Sequence, residues 1–290
     1  MSTFTTVQTM NKHMSVASLS ESLADLSLPP PPAPSTAPYH FTASEMAAFR
    51  ATRALLVSRG VSADRLSAHE IAITTMNQKL RTDDAADKYM AWLDAINVFG
   101  LKSFDEVKGD WSDFNSTLAP MFQSYSPCGR DASGRDIFWI NGSRPVKVEE
   151  EREAVRAGCL YFLAIHSDPV SLRNGITFVI DVGHNRPNVG NEKKMQKVWQ
   201  AFPLRPQRIL IAGAGTVKRL FINGLIKFAS LFSKAKVLQR INFVNREAVV
   251  HELGDSVPAY YHTAGFTSPE PMAAWVKERV QAFPVLDLSS

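Results

Sequence analysis

Cysteine is nearly absent. Cys128 and Cys159 are the 2 in 290 residues, and they make neither a C-x-x-C pair nor a spacing that could staple a small fold. This excludes a disulfide framework, a cysteine-based zinc site and a dithiol redox motif, and fits free thiols in a reducing compartment. The 7 histidines never fall at H-x-x-x-H or H-E-x-x-H spacing, so no metal site and no metal cofactor are expected. No apolar run approaches the ~18 residues a membrane-spanning helix needs. The first residues carry Lys12 but no apolar stretch, which argues against a secretory leader. They are Ser/Thr-rich like a transit peptide yet lack arginine. A cytoplasmic protein is the expectation. There is no G-x-S-x-G elbow for a hydrolase nucleophile.

The absence with most consequence is of acid. From Lys193 to Arg246 there are 12 Lys/Arg and no Asp or Glu, although the whole chain is only +4, so the remainder is −8 (4 − 12). A block of one sign sets up a field that attracts anions: phosphate head groups, nucleic acid or an acidic membrane surface.

What is present divides the chain into four parts. Residues 1–40 are rich in Ser, Thr and Pro and include PPPPAP at 29–34, a composition that cannot offset chain entropy by burial, so a disordered tail is expected. Val16, Leu19, Leu23 and Leu26 recur at helical spacing within it, but an isolated helix that short is marginal. Residues 41–118 read as helical. Thr42 to Glu45 form a capping box, Gly60 ends the first helix, a second runs from Ser67 to Leu80, and a third from Asp84 to Val98 ends at Gly100. Residues 119–266 alternate strands with helices, as in an α/β layer fold. Asp131 to Arg135 is a turn into the strand Ile137–Ile140, Glu149–His166 is helical, and Gly175–Asp181 is a doubly covered strand. A helix over Asn191–Phe202, a strand over Arg208–Ala212, a helix over Val217–Phe232, a strand over Ile241–Val244 and a helix over Arg246–Leu253 follow. Residues 267–290 hold a last helix, Met272–Phe283, and a tail.

The segment RILIAGAGTVKRL at 208–220 looks like the start of a dinucleotide loop. Gly213 and Gly215 fill two positions of G-x-G-x-x-G/A, but Lys218 fills the third, and no acid stands ~20 residues on to hold a ribose. A dinucleotide-dependent enzyme is therefore disfavoured. The helix after the loop is more informative. Arg219, Asn223, Lys227, Ser230 and Lys234 form a narrow cationic stripe, while Leu220, Phe221, Ile222, Leu225, Ile226, Phe228, Leu231 and Phe232 make a wide apolar surface. Such a helix can cover a sheet, lie at a membrane interface or wall an apolar cavity. Asp181 and His184 stand together at a strand end, but no nucleophile accompanies them, so loop polarity explains the pair.

The ordered series of these parts carries a resemblance. Lys79-Leu80-Arg81 in the helical piece precedes the D-x-x-G-R turn at 131–135, then GITFVID at 175–181, FPLRPQRILI at 202–211 and the apolar helix. KAKV at 234–237 and LGDSVPAYYHTAG at 253–265 complete it. The series resembles the CRAL-TRIO lipid-binding family, which includes phosphatidylinositol transfer proteins and carriers of tocopherol and retinaldehyde. It spans about residues 44–266. The resemblance implies a mixed α/β sheet flooring an apolar pocket and covered by helices, with an all-helical N-terminal subdomain. It also implies a movable gate helix at 216–232, one bound lipid and no covalent chemistry. Ser233, Lys236 and Arg81 match head-group positions of the inositide-binding members. Leu204 stands where those members have an acid, and Gly213-Ala214-Gly215 replaces their N-A-P. The implied pocket lining is Phe138, Ile140, Phe178, Ile180, Ile211, Phe221, Leu225 and Phe228.

The leading expectation is a carrier that transfers or presents a phospholipid, a phosphoinositide among the candidates, at an anionic membrane as a peripheral protein. It is not expected to be an enzyme or to bind nucleic acid. The alternative is an adaptor with a closed pocket, whose Pro-rich 29–38 segment engages a protein partner.

Overall fold

The computed structural model describes residues 40–109, 118–126, 129–141, 147–181, 197–198, 200–212, 239–253 and 270–289. The first helices form where local signals place them. Helix α1 (Ala43–Ser58) begins at Thr42, whose Oγ1 accepts from Glu45 N at 3.2 Å while Thr42 N donates to Glu45 Oε2 at 2.8 Å. This is the reciprocal box expected from the sequence. Gly60, at φ +86°, ends α1. Helix α2 (Ala68–Asn77) is capped by Ser67, and α3 (Thr82–Asn97) is followed by Gly100 at φ +71°. Phe49, Leu56, Ile71, Ile73, Tyr89, Trp92 and Ile96 bind these helices together. A single turn, α4 (Phe104–Lys108), follows.

Five strands form one sheet in chain order: β1 (Tyr125–Ser126), β2 (Ile137–Asn141), β3 (Ile176–Asp181), β4 (Pro206–Ala212) and β5 (Ile241–Val244). The first pair is antiparallel and the other three are parallel, so the sheet is mixed. Between β2 and β3 run α5 (Glu151–His166) and the short α6 (Pro169–Asn174), and α7 (Arg246–Leu253) and α8 (Glu270–Gln281) follow the sheet.

The period of two along the strands sorts their side chains onto two faces. Phe138, Phe178, Ile209 and Ile211 share a cluster with α5, with α8, with the N-terminal helices and with Val198, Ala201 and Phe202 of the β3–β4 link. Ile137, Trp139, Val179, Leu210 and Ala212 face the other way and pack with Val249 and Leu253 of α7. Helix α5 is the centre of the larger cluster: 14 of its 16 residues are buried, because the sheet, α2, α4, α6 and α8 all touch it. One buried cluster therefore joins residues of the helical N-terminal part to the α/β part, from Phe49 to Leu288.

The D-x-x-G-R turn is built as expected. Asp131 accepts from Ser133 N, Arg135 N, Arg135 Nε and Thr177 Oγ1, which fixes the entry to β2. Burial pushes its carboxyl up, but the hydrogen bonds from Thr177 and Arg135 outweigh this and hold it below the usual carboxylate range.

Several elements differ from the sequence expectation. Helix α2 stops at Asn77 rather than Leu80, because Lys79 and Leu80 adopt left-handed conformations (φ 57° and 61°). Helix α6 is absent from the sequence reading, although Asp168 Oδ1 accepts from Val170 N and Ser171 N, Pro169 takes the first position and Gly175 closes the end. Gly175 is at φ +78°, and a Cβ there would run into the Arg205 carbonyl.

Charges bind the distant pieces. Arg279 of α8 is 2% exposed and donates through Nη1 to Asp136 Oδ2 at 2.7 Å, with Asp136 itself 1% exposed. Arg130 spans Asp136 at 3.5 Å and the cap residue Asp168 at 2.5 Å, and Asp136 N donates to Ser171 Oγ at 2.9 Å. Burial keeps the Asp136 carboxyl above its ordinary pKa against the pull of Arg279. Removing one partner from such a cluster strands a buried charge, so Arg279→Ala is expected to cost about 3–5 kcal/mol of unfolding free energy. Urea denaturation measures it, and a loss under about 1 kcal/mol would refute the role given to this contact.

Candidate functional site

The registers of the sheet lay an apolar row across its helix-bearing face. Tyr125 pairs with Ile140, Ile140 with Ile180, Ile180 with Ile211, and Ile211 with Phe243. A second row, Phe138–Phe178–Ile209–Ile241, lies one step toward the amino ends of the parallel strands. The five residues of the implied pocket lining that lie in the described part therefore share one face. They are not equally open. Phe138, Phe178 and Ile211 are fully buried, and the first two rings stack with centroids 5.0 Å apart. Ile140 and Ile180 are half-buried, and Phe243 at the sheet edge is 55% exposed. Sequence reasoning missed Tyr125 and Phe243 as members of this row. Their signal is register, which one strand alone does not carry.

Phe221, Leu225, Phe228, Ser233 and Lys236 lie outside the described residues, as do the proposed gate at 216–232, the Gly213–Gly215 loop and His184. Arg81 is described. It sits at the start of α3 with an exposed side chain, pairs with Asp84 at 2.9 Å and donates through Nε to Gln78 O. Asp181 ends β3, buried and in register with Asn141 and Ala212.

A cavity of about 10 Å³ lies among Glu70, Ile73, Thr74, Trp92, Phe162, Leu163 and Pro203. That is room for no more than one water, so it is no lipid site. Glu70 is held there by Tyr89 OH at 3.2 Å and Trp92 Nε1 at 3.0 Å.

Among the described residues one serine–histidine pair falls within bonding distance, His69 Nε2 to Ser167 Oγ at 3.0 Å. The Ser167 hydroxyl gives its proton to Leu163 O at 2.7 Å, so the histidine is the donor and the serine is not activated as a nucleophile. The His69 ring stacks on Phe283 at 3.7 Å, and burial, then the charge of Lys108, pushes its pKa down to about 3. Among the described residues no group of three His, Cys, Asp or Glu could hold a metal ion, and no helix is long and apolar enough to cross a membrane. Cys159 is a free, buried thiol.

No protein-family model matches the chain, and no curated protein matches it.

Two predictions follow from the helical side of this region. Lys79 occupies the position after α2 that glycine usually fills: Leu80 N reaches Thr75 O and Lys79 N reaches Met76 O in the Schellman pattern. Lys79→Gly should raise stability by about 1 kcal/mol by relieving the left-handed conformation; a lower denaturation midpoint would contradict that geometry. His166, fully buried, donates through Nδ1 to Phe162 O at 3.0 Å, and its Nε2 finds no partner. Burial pushes its pKa from 6.5 down to about 4. The folded state thus resists protonation that the unfolded chain accepts. The associated stability is complete above pH 6.5 and declines as pH falls toward 4, by about 3 kcal/mol in all. Measured over that window, His166→Gln should flatten the decline; an equally steep profile in the variant would show that His166 is not its source.

Proposed function

We propose that the chain binds one hydrophobic lipid, a phospholipid with a phosphoinositide among the candidates, and transfers or presents it at an anionic membrane without covalent chemistry. The observation that carries this reading is the apolar row Ile140–Ile180–Ile211–Phe243, in which half-buried Ile140 and Ile180 and fully buried Ile211 lead to a large exposed ring on β5. Phe243 extends this apolar face to the surface, and apolar pockets with a few polar groups are how small hydrophobic ligands are held.

The chain order of β2 to β5 supports the proposal further. Parallel connections are right-handed almost without exception, and the buried apolar residues described in the β2–β3 and β3–β4 links pack on the face that carries this row. The gate proposed at 216–232 belongs to the next link in the same series. Burying an acyl chain there supplies about 0.8 kcal/mol per CH₂. The acid-free stretch of 12 cations supplies attraction to an anionic leaflet, about 1 kcal/mol for each cation near the surface. Ser233, Lys236 and Arg81 remain the proposed head-group contacts. Arg81 would have to leave Asp84 to serve, an exposed pair of little strength.

Native extraction of the purified protein followed by mass spectrometry tests the proposal, with a lipid in stoichiometric amount as the expected result. Phe243→Asp, a change at an exposed position, should leave the melting temperature within a few degrees and reduce retained lipid about tenfold, the effect of roughly 1.4 kcal/mol. A protein free of lipid from every host, with Phe243→Asp indistinguishable from wild type, would favour an adaptor with a closed pocket.

A further inference from the structure

The amino ends of the parallel strands carry different chemistry from the apolar row. Arg205 immediately precedes β4 and Arg240 immediately precedes β5, and these strands lie side by side. Arg205 Nη1 donates to the Arg173 carbonyl at 2.7 Å, and Arg240 Nη1 donates to the Pro206 carbonyl at 2.6 Å. The main chain behind them is fixed as well: Ile176 N donates to Arg205 O at 3.2 Å and Ile209 N to Arg240 O at 2.9 Å. Two guanidinium groups are thus oriented by backbone at one edge of the sheet.

Neither has an acidic partner among the described residues. Their neighbours do: Arg173 is paired with Glu45 and Arg208 with Glu252. Arg205 Nε is buried without a hydrogen-bond partner among the described residues. Burial, and then the charge of Arg240, disfavour the charged form of Arg205. An anion bridging the two groups would reverse both penalties. The local balance also indicates which anion. Arg173, Arg205, Arg208 and Arg240 face Glu45 and Glu252, an excess of two positive charges. A phosphate monoester carries about −1.5 to −2 near neutral pH and accepts the planar fork of a guanidinium through two oxygens. Both arginines are half-exposed, so a solute can reach them.

We propose that Arg205 and Arg240 form an anion site at the amino edge of β4 and β5 that takes a phosphate group. The site lies ~20 Å along β4 from the carboxyl end of the sheet, at about 3.3 Å per residue. It goes beyond the lipid reading and does not need the apolar row to hold a ligand.

Calorimetric titration of the full chain with inorganic phosphate at low ionic strength tests it. Wild type should bind, and Arg205→Gln and Arg240→Gln should each weaken binding about tenfold, as expected for one lost charge-assisted contact. Arg208→Gln, whose partner is Glu252, should leave affinity within about twofold. In phosphate-free buffer Arg240→Gln should melt at or above the wild-type temperature, because it removes a like charge, and phosphate should raise Tm in wild type and Arg208→Gln but much less in Arg240→Gln. Unchanged phosphate affinity in both variants overturns the proposal. So does a lower Tm for Arg240→Gln with the phosphate-induced rise intact. If Arg205→Gln does not fold, Arg205→Lys keeps the charge without the fork: weaker binding supports the site, and equal binding overturns it.

Phosphatidylcholine vesicles doped with phosphatidic acid separate the sources. Retention of wild type that inorganic phosphate competes away assigns a lipid head group. Phosphate binding without retention assigns a free phosphate. Binding to neither overturns the proposal.

Discussion

Parallel strands laid down in chain order leave the intervening links little choice of side. Each link must be right-handed, and a constant hand combined with a constant direction of travel across the sheet sends every link to the same face. Here α5 and the residues Val198, Ala201 and Phe202, which belong to successive links, pack into one cluster with Phe138, Phe178, Ile209 and Ile211. The opposite face receives α7 after the last strand, and a smaller cluster around Trp139 and Leu210. The asymmetry of the molecule, a deep core on one side and a thin one on the other, follows from strand order alone.

That constraint also separates the chemistry of the two sheet ends. Toward the carboxyl ends the helix-bearing face is Ile140, Ile180, Ile211 and Phe243, apolar throughout and exposed at Phe243 on β5. At the amino ends the polar groups gather. Asp136 and Arg130 stand before β2, with Arg279 and Asp168 brought to them from α8 and the cap of α6, while Arg205 and Arg240 stand before β4 and β5. The first of these groups is neutral and buried, so it holds elements in place. The second carries uncompensated charge and remains within reach of solvent. Identical side chains do opposite things because one pair of arginines has aspartates to meet and the other does not.

Much of this was legible in the chain, and the illegible parts have identifiable causes. The capping box of Thr42 and Glu45, the Asp131 turn and the β-rich strand runs depend on residues within a few positions of one another, and all were read. Helix α6 had its signals, Asp168-Pro169 before it and Gly175 after, but its 6 residues offer too few turns for an apolar period to emerge. The end of α2 was misread because Lys79 takes a conformation that glycine would have advertised. The Arg279–Asp136 contact joins residues 143 apart, and nothing in either neighbourhood marks the pairing. On the candidate site, the family resemblance named Phe138, Ile140, Phe178, Ile180 and Ile211, and the strand registers place them on one face. Phe243 joined them only through the pairing of β5 with β4. The acid-free basic stretch was conspicuous, but charge counting could not distinguish Arg208, which finds Glu252, from Arg205 and Arg240, which find only carbonyls.

Glu45 closes the cap of α1 and also receives Arg173 of α6 at 3.0 Å, while Arg173 Nη2 donates to His40 O at 2.8 Å. The first described residue is therefore tied to α6, and α1 does not start from a fraying end. Five residues lie between Pro34 and His40, and a fully extended chain gains at most ~3.5 Å for each of the six steps. Any protein gripping the proline run would be tethered within about 20 Å of α6, close enough for its own surface to be read by the body it is tied to.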